Sequence, residues 1–79
     1  MTAQEMFEQL GFIKNKSKCY GDNHILYEKP VMNGTDIFIV EFKDGYVVYT
    51  DSCMRCIKMY PDILKAIIQQ CRELGWLDD

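Results

Sequence analysis

Basic residues, proline and histidine are all scarce in this chain, and each shortage removes a class of answer. Nine lysines and arginines face twelve acids over 79 residues, a net charge of −3, so the chain as a whole has no attraction for phosphate backbones or anionic lipid. A single histidine leaves no room for a metal-binding helix with two of them, and there is neither a glycine-rich phosphate loop nor a nucleophile elbow. No apolar run approaches the roughly 20 residues of a membrane span, and no basic-then-apolar leader precedes a cleavage site. A cytoplasmic setting is therefore expected, with the four cysteines as reduced thiols rather than two disulfides. Repeats, linkers and low-complexity segments are missing as well.

What remains is an ordinary globular composition, 48% apolar and 27% charged. Residues 1–79 make one domain, and a domain this small buries only roughly 60% of its unfolded surface, so most large apolar side chains are needed for packing.

The organising stretch is Thr35 to Lys43, the longest β-prone run, with Asn33-Gly34 before it and Asp44-Gly45 after it. Both dipeptides suit two-residue hairpin turns, which makes this stretch the middle of a meander. Counting pairs outward from the turns sets Tyr27 and Tyr49 against Val40, and Ile25 and Val47 against Phe42. One sheet face then holds Ile25, Tyr27, Phe38, Val40, Phe42, Val47 and Tyr49 and is the core face. The other mixes Glu28, Glu41 and Lys43 with an apolar strip of Leu26, Ile37, Ile39 and Val48.

Before the meander, Thr2 with Glu5 fits a capping box for a short helix ending at Gly11. A first strand is predicted from Phe12 to about Lys16 and a second from His24 to Lys29, with Pro30 near its end. After it, Asp51 to Cys56 reads as a loop, and Ile57-Lys58-Met59 as a short last strand. Pro61 opens a final helix whose apolar arc comprises Ile63, Leu64, Ile67, Ile68, Cys71 and Leu74. Gly75 closes it, with Trp76 folded back toward Cys71. The fold class is a two-layer α+β domain: a helix, an antiparallel sheet of about four strands, and a C-terminal helix packed on one face.

Three groups of residues could carry a function. Cys53 and Cys56 form a CxxC that could supply two thiolates to zinc, with Cys19, His24 or Cys71 completing the set. A structural site draws on two such knuckles, so ordinary cysteines are the favoured reading, and no metal or cofactor is expected. His24 has no evident nucleophile partner and enzymatic activity is not expected. Lys14, Lys16 and Lys18 with Tyr20 and Tyr46 could make a small nucleic-acid platform, against which a lysine-protected sheet edge is the simpler account. The third group is the strip Leu26, Ile37, Ile39 and Val48, which no helix would cover if both pack on the core face.

The two ends of the chain also carry a likeness. Met1-Thr2-Ala3, Glu5-Met6-Phe7-Glu8 and Leu10-Gly11-Phe12 at one end, with Leu64-Lys65-Ala66-Ile67, Gln70-Cys71 and Glu73-Leu74-Gly75-Trp76-Leu77 at the other, resemble small proteins encoded by phages and prophages of Gram-positive bacteria. Tyr27-Glu28-Lys29 fits the same group. The resemblance implies an origin on a mobile element and a bacterial cytoplasm, carries over no functional residue, and does not include the Cys53 to Cys56 loop. The expected function is that of a small non-enzymatic interaction protein binding an unknown protein partner or forming a homodimer. A nucleic-acid accessory factor and a zinc- or redox-responsive module stand as alternatives.

Overall fold

Helix α1, Ala3–Gln9, starts where its capping box predicts. The Glu5 N–H donates to the Thr2 hydroxyl at 3.2 Å, and the Glu5 carboxylate accepts from the Thr2 N–H at 2.8 Å. Seven residues are too few for a helix to persist alone. Ala3 and Phe7 are both fully buried, and the Phe7 ring holds the helix to Tyr27 of the sheet. The computed structural model describes residues 1–15, 24–30, 37–51 and 59–77. Gly11 adopts φ +93° and the Phe12 N–H returns to the Phe7 carbonyl at 2.9 Å, a Schellman ending. That ending drops Phe12 into the core, 1% exposed, with its ring edge-on to Phe7 at 5.6 Å. The first strand consequently starts one residue later than expected: β1 is Ile13–Lys14, and Lys16 lies outside the described residues.

The other strands are β2 (His24–Pro30), β3 (Ile37–Lys43) and β4 (Tyr46–Asp51), in spatial order β1-β2-β3-β4 and antiparallel throughout. Ile25 pairs with Phe42 and Tyr27 with Val40, while Val47 pairs with Phe42 and Tyr49 with Val40, the register counted from the two turns. At the second turn Asp44 and Gly45 both have positive φ, as a tight hairpin requires. The Asn33-Gly34 turn and residues 35, 36, 57 and 58 lie outside the described residues; Met59 is not in a strand.

Helix α2, Pro61–Glu73, carries Pro61 at its first position and ends in a second Schellman motif, Gly75 at φ +78° and the Trp76 N–H on the Cys71 carbonyl at 2.9 Å. Its buried stripe is Ile63, Ala66, Ile67 and Gln70. Leu64 of the expected apolar arc is instead 46% exposed and Ile68 half-buried, because α2 is turned to bring Gln70 inward, where its Oε1 accepts from the Tyr27 hydroxyl at 2.6 Å. Both helices cover the same sheet face. The core is Phe7, Phe12, Ile25, Tyr27, Val40, Phe42, Ile63, Ala66 and Ile67. Phe7 stacks on Tyr27 at 4.1 Å and 21°, and Phe42 meets both edge-on. Each buried aromatic is worth up to about 3 kcal/mol relative to exposure, an upper estimate for an extended reference chain. Between the helices, Glu73 accepts the Ala3 N–H at 2.7 Å and Gln69 Nε2 at 3.0 Å, which fixes the end of α2 against the start of α1.

Candidate functional site

Because side chains alternate along a strand, the register that buries Tyr27 and Val40 turns another set of residues to the opposite face. That outer face carries Ile13 and Asn15 from β1 and its continuation. To these, β2 adds His24, Leu26, Glu28 and Pro30, and β3 adds Ile37, Ile39, Glu41 and Lys43. Tyr46, Val48 and Thr50 come from β4. The four residues of the predicted strip share this face but not its exposure. Ile37 is 39% exposed, and Ile39 and Val48 are half-buried.

Leu26 corrects the expectation, since it is only 7% exposed although α1 and α2 both lie on the other face. It lies mid-strand, with His24 and Glu28 two residues away on either side, Glu41 opposite, and Asn15 donating its backbone N–H to the Leu26 carbonyl at 2.8 Å. His24 Nε2 and Glu41 Oε2 meet at 2.6 Å, and Asn15 Nδ2 donates to Glu28 Oε1 at 3.2 Å. These two polar pairs bracket Leu26 on the outer face.

Tyr46, 51% exposed, reaches water at the β4 edge, and a larger apolar surface lies toward β1. A groove of about 490 Å³ is lined by Ile13, Lys14, Asn15, Glu28, Pro30 and Ile37. Ile13, 65% exposed, and Pro30 belong to it, although neither was singled out by sequence reasoning. The available signal was the pair Phe12-Ile13: two apolar residues in succession at a strand start cannot both face one core. A second groove, about 310 Å³, separates the helices and is lined by Met1, Met6, Gln9, Leu10, Asp62 and Lys65.

Most members of the other candidate groups lie outside the described residues. Cys53, Cys56 and Cys19 lie outside the described residues. His24 is on the outer face and Cys71 packs against the core on the other, so the sheet stands between two of the suggested zinc ligands. Among the described residues no three His, Cys, Asp or Glu side chains are placed to share a metal ion. Burial raises the Cys71 thiol above its ordinary 9.0, which favours the protonated form. Lys14 and Tyr46 sit on opposite edges of the sheet with β2 and β3 between them, so Tyr46 cannot join a platform with Lys14; Lys16, Lys18 and Tyr20 lie outside the described residues. Among the described residues no helix is long and apolar enough to cross a membrane.

Comparison of the chain with protein-family models, with curated proteins and with solved structures returns no match.

Proposed function

We propose that this is a small non-enzymatic interaction protein whose outer sheet face receives an apolar segment of another protein. The observation that carries the reading is the placement of both helices on one face. It leaves Ile13 and Ile37 exposed around the Pro30 groove, with Ile39 and Val48 continuing the strip. A contiguous apolar patch rimmed by polar groups, here Asn15, Glu28 and Lys14, is the usual character of a binding surface. The non-enzymatic part rests on the sequence, with its single histidine and its lack of phosphate loop, nucleophile elbow and metal-binding helix. The likeness of both chain ends to phage and prophage proteins supports a bacterial cytoplasm as the setting.

A random-peptide display library selected against the protein tests this reading. Apolar peptides are expected, and their titration should shift the amides of Ile13, Glu28, Ile37, Ile39 and Val48 in an NMR spectrum. Ile37→Lys should abolish capture without changing the melting temperature. Peptides that perturb only the helices, or no selected peptide at all, would remove the outer face as a binding surface.

A further inference from the structure

The groove on the outer face has apolar walls and an acid among them. Ile13, Pro30 and Ile37 make the walls, Glu28 shares the lining with them, and Lys14 and Asn15 complete it. The register sets Glu28 in the middle of this surface. Ile13 pairs with it across β1 and Ile39 across β3, while Pro30 and Leu26 flank it two residues away on the same face. Every nearest outer-face position around this acid is therefore apolar.

A glutamate side chain turns about several torsions, so its head can lean toward either end of the strand. At one end lie Pro30 and its cross-strand partner Ile37; at the other lies Leu26. Asn15 decides between them. Its backbone N–H donates to the Leu26 carbonyl at 2.8 Å, which sets Asn15 level with Leu26 and one step along the face from Ile13. From that place its Nδ2 donates to Glu28 Oε1 at 3.2 Å. The bond draws the carboxylate along β2 toward Leu26, away from Pro30 and Ile37. Asn15 and Glu28 thus make a polar end to the groove, and Ile13, Pro30 and Ile37 its apolar body.

We infer that Asn15 is a positioning residue for the apolar segment assigned to this face: it holds Glu28 at the Leu26 end and so keeps a charge out of the apolar body of the groove. The inference rests on the reading of the outer face as a binding surface. An apolar segment seated over a carboxylate strips water from the charge and gives nothing in return, which is strongly unfavourable. Without the Asn15 amide, Glu28 leans toward Pro30 and Ile37, and the groove favours a segment that brings a cation. The main-chain bond to Leu26 does not need the Asn15 side chain, so β1 keeps its pairing when that side chain is shortened. Asn15 sets which segment is accepted.

The test titrates a peptide selected on the wild-type protein, and the same peptide with one central apolar residue replaced by lysine, against wild type and variants. Wild type should bind the parent peptide about tenfold or more better than its lysine version. Asn15→Ala should weaken the parent and narrow or reverse that preference. Adding Glu28→Met to Asn15→Ala should restore the parent's affinity, because Asn15 acts through Glu28. Asn15→Asp, nearly isosteric and repelling Glu28, should shift the preference further the same way, and it serves if Asn15→Ala does not fold. If Asn15→Ala weakens both peptides alike and Glu28→Met rescues neither, Asn15 has a structural part only and the inference is overturned. An unchanged parent affinity in both Asn15 variants overturns it too, with the outer-face reading left standing. A wild-type protein that captures no peptide removes that reading, and the inference with it.

Discussion

The hydroxyl of Tyr27 and the side-chain carbonyl of Gln70 meet at 2.6 Å in the core, 43 residues apart in sequence. A glutamine on an amphipathic helix reads as surface, and only the strand opposite makes it interior. Tyr27→Phe keeps the stacked ring but takes the donor away from the buried Gln70 oxygen, at a cost of about 1–3 kcal/mol. Urea denaturation should show that loss, and Tyr27→Phe combined with Gln70→Leu should recover part of it. A loss no larger than a few tenths would mean that water or another group serves Gln70 equally well. Leu26 teaches the same limit from the opposite direction. Alternation placed it on the outer face correctly, but alternation along one strand does not reveal that it is buried there.

At the scale of elements, local chemistry was the most legible. The Thr2 and Glu5 box, the Asp44-Gly45 turn, Pro61 at the head of α2 and Gly75 after its end all act within a few residues of chain, and each is found where its residue type predicts. The strand register followed from the turns. What was not legible was rotation and competition: how far α2 turns to admit Gln70, and the claim of the α1 ending on Phe12, which starts β1 at Ile13. Of the four residues of the expected strip Leu26 proves buried, and Ile13 and Pro30, which line the groove beside Ile37, were not in it. The α1 cap carries a pH prediction. The Thr2 backbone N–H, then the Thr2 hydroxyl, hold the Glu5 carboxyl below its ordinary 4.5. A carboxyl depressed in the folded state contributes stability that is complete above its unfolded value and is lost as pH falls through the folded one. Wild type should therefore lose more stability between pH 5 and pH 3 than Glu5→Gln, measured by the difference in urea midpoints. Equal slopes would show that the cap does not depend on the charge of Glu5.

The whole molecule is a meander whose first and last elements meet over its core face, joined by the Ala3 N–H on the Glu73 carboxylate across 70 residues. Both helices are thus committed to one side of the sheet. Phe7 is the packing centre of the committed side, touching Phe12, Tyr27 and Phe42. Phe7→Ala should cost about 3–5 kcal/mol, a large share of the roughly 5–10 kcal/mol that holds a domain of this kind together. The helix clasp also has a temporal consequence. The β3–β4 hairpin closes a two-residue loop, whereas docking α1 on α2 closes nearly the entire chain, and closure over long separations is the slow event. The hairpin should form ahead of the rate-limiting barrier and the clasp after it. Stopped-flow experiments should then find that Val40→Ala chiefly slows refolding, while Phe7→Ala chiefly speeds unfolding. The residues that complete the fold last would also be those that open first.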